Sequence, residues 1–159
     1  MIRLSDTEIT NLIAEVKPLP ENYKSVIRLK HKKGHSERDF DVLGVDGHDF
    51  RVILRQSHAN ILDFSAILAY RPIRSSELFI LRRYNGRSHE HTNSIEGNTF
   101  YGFHIHQATE RYQELGSQPE SYAEPSDNYD SIDKAIERMF TECSFIIPPQ
   151  IPSNQGTLL

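Results

Sequence analysis

The feature that most constrains the fold is a series of short apolar segments between residues 24 and 106, separated by short polar links. Within them apolar residues alternate with polar ones or form short runs, as is typical of β-strands. The six predicted strands cover residues 25–29, 40–45, 50–55, 61–70, 78–84 and 101–106. Because no helix-length pattern lies between them, the links are too short for parallel crossovers, and the sheet should be antiparallel. Asp46-Gly47 predicts a tight hairpin.

Two helices are predicted to flank this sheet. Ser5-Asp6-Thr7-Glu8 has the form of a capping box, so a helix should begin at Ser5. Asp130 is the predicted N-cap of a second helix, whose apolar stripe ends at Cys143, an expected buried thiol. The predicted fold is α+β, with an N-terminal helix, a curved antiparallel sheet of about six strands, and a C-terminal helix packed on the sheet.

The length of 159 residues predicts one α+β domain over residues 1–147 and a mobile C-terminal tail over residues 148–159. Between the predicted sheet and the last helix, residues 107–115 should form a short helix or turn, and residues 117–130 an acidic loop. The sequence has no run of about 18 apolar residues and no hydrophobic leader, so we expect a cytoplasmic protein that does not contact a membrane.

Charge is distributed unevenly along the chain, although the net charge is only −4. Residues 1–87 contain 15 Lys and Arg against 11 Asp and Glu, whereas residues 88–159 contain 3 against 11. The middle of the chain is locally basic, and a basic surface attracts phosphate groups.

Four of the eight histidines lie in two His-x-His pairs, His89 with His91 and His104 with His106. Because successive side chains of a strand point to opposite faces, His104 and His106 should share one face. The residues predicted to face the core from this strand are Tyr101, Phe103 and Ile105. Imidazole titrates near neutral pH, which suits it to proton transfer and to metal binding. The two pairs are therefore the best candidate for a functional site.

The order of Asn85-Gly86, His91-x-Asn93, Gly97 and His104-x-His106 resembles that in a family of small bacterial and prophage proteins with no assigned activity. The resemblance covers the first two thirds of the chain, and the leading helix and the strands are similar in order. In that family an aromatic residue and a glycine follow the His-x-His strand, whereas residues 107–112 here are Gln-Ala-Thr-Glu-Arg-Tyr. The resemblance implies no particular activity.

The main functional hypothesis is a histidine-dependent phosphodiesterase, a small RNase-like protein in a toxin or phage-defence setting that needs no cofactor. Histidines would act as general acid and base while an arginine stabilises developing negative charge. The predicted catalytic residues are His91, His104, His106, Arg82, Arg83 and Arg111. The residues predicted to bind nucleic acid are Arg71, Arg74, Arg87 and Asn93.

Three alternatives stay open. In the first, a zinc-type ion is held by His104, His106 and either His89 or His91. In the second, the His-x-His strand is only a solvated strand face, and His91 and Asn93 hold the loop by hydrogen bonds. In the third, a non-enzymatic module binds RNA, another nucleic acid or a protein partner through a basic sheet face or the acidic C-terminal region. The remaining histidines, expected at the surface, are His31, His35, His48 and His58.

Overall fold

The computed structural model describes residues 2–149. The helices are α1 (Asp6–Ala14), α2 (Tyr23–Val26), α3 (Glu110–Glu114) and α4 (Ile132–Glu142). The first six strands are β1 (Lys17–Pro18), β2 (Lys30–His31), β3 (His35–Leu43), β4 (Asp49–Ser57), β5 (Phe64–Arg71) and β6 (Phe79–Asn85). The others are β7 (Glu90–Thr92), β8 (Thr99–Tyr101), β9 (His104–Gln107), β10 (Tyr122–Pro125) and β11 (Phe145–Ile146).

Seven strands form one curved antiparallel sheet in the order β10-β9-β6-β5-β4-β3-β2. Together with the helices at each end of the chain, it confirms the predicted α+β fold, with seven strands instead of about six. Side chains from one sheet face and from α1 and α4 form the core, in which Phe50, Leu54, Leu68, Leu81 and Met139 are fully buried. The opposite sheet face is covered only in part, by the β7–β8 hairpin.

Several local predictions are confirmed. Ser5 caps α1 in a capping box with Glu8. The β3–β4 hairpin pairs Leu43 with Asp49 around the Asp46-Gly47 turn. Cys143 is fully buried. The N-cap of α4 is Ser131, one residue after the predicted Asp130, because the Ser131 hydroxyl accepts the Lys134 backbone N–H.

Other predictions are wrong. The strand expected at residues 25–29 is replaced by α2, whose backbone groups bond locally, from Val26 N to Asn22 O and from Ile27 N to Tyr23 O. The strand expected at residues 101–106 is divided, since Gly102 has a φ of 131° and lies between β8 and β9.

The predicted strand faces are also wrong at one position. Tyr101 is 65% exposed on the hairpin instead of facing the core, whereas Ile105 is in the core as predicted. The expected acidic loop at residues 117–130 contains β10, which extends the main sheet beside β9. Near the end of the described residues, β11 pairs with β1 in parallel.

Most of the predicted mobile tail, residues 148–159, lies outside the described residues, which end at 149. Among residues 2–149, no helix has both the length and the apolar character needed to cross a bilayer.

Candidate functional site

The site lies on the sheet face that is turned away from the helices. Register places His106 opposite Arg83 and His104 opposite Asn85, and side chains of paired residues project from the same face. Ile105, which alternates with the two histidines, packs in the core on the other face. The prediction that His104 and His106 share one face is therefore confirmed, and their ring centroids are 5.0 Å apart.

The β7–β8 hairpin brings a third imidazole to the same point. The ring of His91 lies 5.6 Å from that of His104 and 4.8 Å from that of His106, centroid to centroid. His89, just before the hairpin, is exposed, and its ring is 6.1 Å from that of His104. We call His91, His104 and His106 the histidine centre.

Asn93 fastens the hairpin to the sheet. Its Oδ1 accepts the backbone N–H of Ala123 at 2.9 Å, and its Nδ2 donates to the Ala123 carbonyl at 2.8 Å. These two backbone bonds determine which end of the amide is oxygen. Because that oxygen also lies 2.8 Å from His91 Nε2, the imidazole must donate from Nε2, which leaves the lone pair of His91 on Nδ1.

The tautomers of the other two histidines follow from the same reasoning. His104 Nδ1 is 2.8 Å from the Gly102 carbonyl, and His106 Nδ1 is 2.8 Å from the Glu120 carbonyl. A carbonyl oxygen only accepts, so each Nδ1 donates its proton and each Nε2 of the neutral ring keeps a lone pair. All three members of the histidine centre are held by one nitrogen and have a lone pair on the other.

His104 is unusual because it is buried and only half satisfied. The residue is 1% exposed, and its Nε2 is buried with no hydrogen-bond partner among residues 2–149. An unpaired buried polar atom costs about 1–3 kcal/mol. The interpretation of the His-x-His strand as a solvated face is therefore wrong for His104.

Burial also disfavours the charged form of both strand histidines. It lowers the pKa of His104, and burial followed by the neighbouring His104 lowers the pKa of His106 to about 3. Both rings are therefore neutral at pH 7. A neutral imidazole accepts a proton or binds a metal ion, but it does not supply a proton as a general acid. The lowered pKa values therefore favour His104 and His106 as proton acceptors over a role as general acid.

A cavity of about 520 Å³ opens in front of the histidine centre. Its lining is polar and includes Arg83, His89, His91, His106, Glu120 and Ser121. The Arg83 guanidinium donates to the carboxylate of Glu120 at 3.1 Å, and that carboxylate is largely buried. Arg83 is thus the predicted catalytic arginine that the structure brings to the histidines, with its charge balanced by Glu120.

The other two predicted catalytic arginines are elsewhere. Arg82 contacts Tyr84 and Glu142, on the sheet face opposite to that of Arg83. Arg111 pairs with Glu96, and its guanidinium lies 4.7 Å from the centroid of the Tyr122 ring. Arg82 and Arg111 line a separate cavity with Gln107 and Thr109. Both assignments to the histidine site are therefore wrong.

The residues predicted to bind nucleic acid do not form one surface. Arg71 and Arg74 line a cavity beside the β3–β4 turn, and Arg71 pairs with Asp41. Arg87 is exposed near the Phe103 ring. Asn93 is 1% exposed and its amide is used in the hairpin contacts, so its assignment to nucleic-acid binding is wrong.

On the proposed basic sheet face, the charge of Arg51 is balanced because its guanidinium donates to both Asp39 and Asp41.

The remaining histidines lie away from this site. His31 and His58 are exposed, 3.2 Å apart between Nδ1 and Nε2, and share contacts with the Ser36 hydroxyl. His35 pairs with Glu37. His48 is half-buried instead of fully exposed, and its Nδ1 lies 2.6 Å from the buried Glu15 carboxylate.

Sequence reasoning missed Glu120, whereas the alternative in which His91 and Asn93 hold the loop by hydrogen bonds agrees with the contacts of Asn93. Asn93 is two residues after His91, and the structure shows that this spacing lets the amide hold the imidazole. Glu120 follows an irregular segment of the chain, and no periodic pattern there indicates its side chain.

Within residues 2–149, no three His, Cys, Asp or Glu side chains are already arranged as a complete metal site. The chain matches no protein-family model, no curated protein and no solved structure. The family resemblance of the sequence therefore stays a prediction.

Proposed function

We propose that the cavity is the active site of a histidine-dependent phosphodiesterase that cleaves RNA. The observation that supports this most directly is the set of three imidazoles packed around one point beside Arg83, each with a lone pair that is not used by its structural hydrogen bond. Lone pairs of neutral imidazoles remove protons or hold metal ions, and both help a hydroxyl to attack phosphorus.

The size and lining of the cavity suit one nucleotide. Its volume of about 520 Å³ is within the usual range for small-ligand sites. A guanidinium has five N–H donors, and Arg83 donates to Glu120, so other donors are left for a phosphate oxygen.

RNA is the favoured substrate because it contains its own nucleophile. The 2′-hydroxyl forms a bond to phosphorus, and the bond from phosphorus to the 5′ oxygen breaks. The hydroxyl proton passes to one of the neutral imidazoles. Water protonates the leaving 5′ oxygen, and the hydroxide that this forms takes the proton back from the imidazolium. Arg83 would stabilise the negative charge that develops on the phosphoryl oxygens. Action as a toxin or in phage defence is part of this proposal, and it requires that expression of the active protein slows growth.

The test is cleavage of labelled RNA by the purified chain and by His91→Ala. His91 is half-exposed on the hairpin, so its loss should leave the fold intact while lowering the cleavage rate by about 100-fold or more. His58→Ala is the matched control because His58 is an exposed histidine outside the cavity, and its rate should equal that of the wild type. Absence of RNA cleavage by the wild-type protein, or full activity of His91→Ala, would contradict the proposal.

The alternative of a non-enzymatic module that uses a basic sheet face has less support, because Asp39 and Asp41 already pair with Arg51 and Arg71. It would be favoured by RNA binding that weakens steeply with salt and is unaffected by His91→Ala.

A further inference from the structure

We infer that His91, His104 and His106 bind one divalent transition-metal ion of the zinc class, with a fourth position open to water or to a phosphate oxygen. The role of the ion in phosphodiester cleavage rests on the proposed function. Binding of the ion is supported separately, by the arrangement of the three rings. The expectation that the protein needs no cofactor is thereby replaced by a specific site.

The ring separations agree with a shared ion. Zinc–nitrogen bonds are about 2.0–2.1 Å, so the centroids of two imidazoles on one tetrahedral ion lie about 5 Å apart. The three centroid distances in the histidine centre are 4.8, 5.0 and 5.6 Å.

The hydrogen bonds around the rings are those of metal-binding histidines. Such histidines donate the proton of the second nitrogen to a backbone carbonyl or other acceptor, which orients the ring and selects the tautomer. His104 and His106 donate to the carbonyls of Gly102 and Glu120, and His91 donates to the Asn93 amide oxygen. Each ring therefore offers its other nitrogen as a ligand.

The buried nitrogen of His104 is the independent observation that points to a ligand. Its Nε2 is enclosed, has no partner among residues 2–149, and belongs to a ring that is in contact with those of His91 and His106. A bound ion would satisfy this nitrogen. The side chain is 1% exposed, and His91 and Phe100 of the hairpin contact its ring, so the hairpin that covers His104 also supplies the third imidazole.

The donor set selects the class of ion. Three neutral nitrogen ligands with no thiolate or carboxylate suit Zn²⁺, Co²⁺, Ni²⁺ or Cu²⁺, whereas Mg²⁺ and Ca²⁺ prefer oxygen ligands. Because no three ligands within residues 2–149 are yet arranged to hold an ion, binding requires a small shift of the half-exposed His91 ring that keeps its Nε2 bond to Asn93. His104 and His106, which are held by backbone carbonyls, can stay in place.

The exposed pair of His31 and His58 provides a matched control. Their nitrogens are 3.2 Å apart, close enough to chelate an ion weakly, but the pair has no third imidazole, and the Ser36 hydroxyl bonds to both rings. Adventitious ion binding by surface histidines would occur there and not at the histidine centre.

The experiment uses the full chain after treatment with a chelator and removal of the chelator. Co²⁺ is added first, because tetrahedral Co²⁺ absorbs strongly in the visible range, and Zn²⁺ is then added to displace it. We expect one equivalent of Co²⁺, a spectrum of four-coordinate Co²⁺ with three nitrogen ligands and one oxygen ligand, and a rise in Tm of several degrees on ion binding.

Variants locate the site. His91→Ala and His106→Gln should each weaken Co²⁺ binding by about 100-fold or more, since each removes one of three ligands. His58→Ala should bind Co²⁺ as the wild type does. Two results would overturn the inference: no Co²⁺ or Zn²⁺ binding by the wild-type chain, or binding that His58→Ala abolishes and His91→Ala does not affect.

Failure of the inference and failure of the proposed function are distinguishable. If the chain binds no ion but cleaves RNA, the metal inference is wrong and the proposed function stands. If the chain binds one ion at the histidine centre but cleaves neither RNA nor other phosphodiesters, the proposed function is wrong and the metal site stands.

Discussion

Two buried polar side chains in this protein differ in whether all of their hydrogen-bonding atoms have partners. Lys17 is fully buried on the helix side of the sheet, and His104 is buried under the hairpin on the other side. Every donor of the Lys17 ammonium has an acceptor, whereas His104 Nε2 has no partner among residues 2–149.

The lysine centre connects the ends of two helices. The Lys17 ammonium donates to the carbonyls of Leu12, Ile13 and Glu15 near the end of α1, and to that of Cys143 at the end of α4, at 2.8–3.0 Å. Carbonyl groups at a helix C-terminus carry partial negative charge, which stabilises a cation there. The ammonium also lies 4.5 Å from the centroid of the Phe50 ring, within the range of a cation–π contact.

The comparison shows that burial alone does not indicate a functional site. A buried polar group whose hydrogen bonds are all made inside the protein stabilises the fold. One that keeps a free lone pair costs stability, and such costs are concentrated at functional sites. By this criterion the lysine centre is structural, and the histidine centre differs from it in the unpaired Nε2 of His104, which agrees with the proposed ligand site.

The strongest test of the comparison is Lys17→Met, which keeps the length of the side chain but removes its donors. Four carbonyls would be left without their buried partner, so we expect the free energy of unfolding to fall by about 3–5 kcal/mol. Urea unfolding measures this change. Lys24→Met is the control, because Lys24 is exposed on α2 and should change stability by less than about 0.5 kcal/mol. A loss below about 1 kcal/mol for Lys17→Met would show that the lysine centre is not a structural anchor.

The second test concerns the hairpin that completes the histidine centre. Asn93→Asp keeps an oxygen for Ala123 N–H and for His91, but it replaces the amide donor to the Ala123 carbonyl by an acceptor. Because that carbonyl would face a buried carboxylate, the variant should lose about 1–3 kcal/mol of unfolding free energy.

Asn98→Ala is the matched control for this variant, since the exposed Asn98 side chain accepts only the Asn93 amide. Its cost should be under about 1 kcal/mol in the same denaturant titration. Equal stability of Asn93→Asp and wild type would mean that the hairpin is held to the sheet by other contacts.

The third test is a pH dependence that belongs to the histidine centre. The pKa of His106 is about 3 in the folded chain, and that of an unfolded histidine is near 6.5. Between these values the unfolded chain binds more protons, so the free energy of unfolding falls as pH drops from 6.5 toward 3. The slope from one such histidine is at most about 1.4 kcal/mol per pH unit.

This slope is measured by urea unfolding of the metal-free protein at several pH values, for wild type and for His106→Gln, whose amide can still donate to the Glu120 carbonyl. The acid slope should be smaller in His106→Gln, whereas His58→Gln should keep the wild-type slope. Parallel curves for wild type and His106→Gln would show that His106 is not buried in its neutral form.

Much of the secondary structure was predictable because its signals are local. The Ser5 capping box and the Asp46-Gly47 turn are short patterns in which neighbouring residues satisfy each other, and both are found where expected. The alternation of His104 and His106 around Ile105 likewise depends only on strand geometry. These features need no information from distant parts of the chain.

The arginines illustrate the limit of local patterns. Arg82 and Arg83 are adjacent in β6, so their side chains project from opposite faces of the sheet. The sequence does not show which of these faces carries the histidines. In the structure Arg82 lies on the α4 side with Glu142, and Arg83 lies on the other side with Glu120. Similarly, β10 has one buried apolar residue, Ala123, and becomes a strand because β9 offers it a free edge. A short stretch of sequence contains no information about that edge.

The sequence by itself determined the α+β class, the start of α1, the central hairpin and the common face of His104 and His106, because short-range sterics and hydrogen bonds decide these features. Only the tertiary structure decided that His104 is buried, that Asn93 holds His91 in place, and that Lys17 is fully paired. Each depends on contacts between residues far apart in the chain, 30 positions from Asn93 to Ala123 and 126 from Lys17 to Cys143. Burial and pairing are properties of such contacts, and they distinguish the histidine centre from the lysine centre.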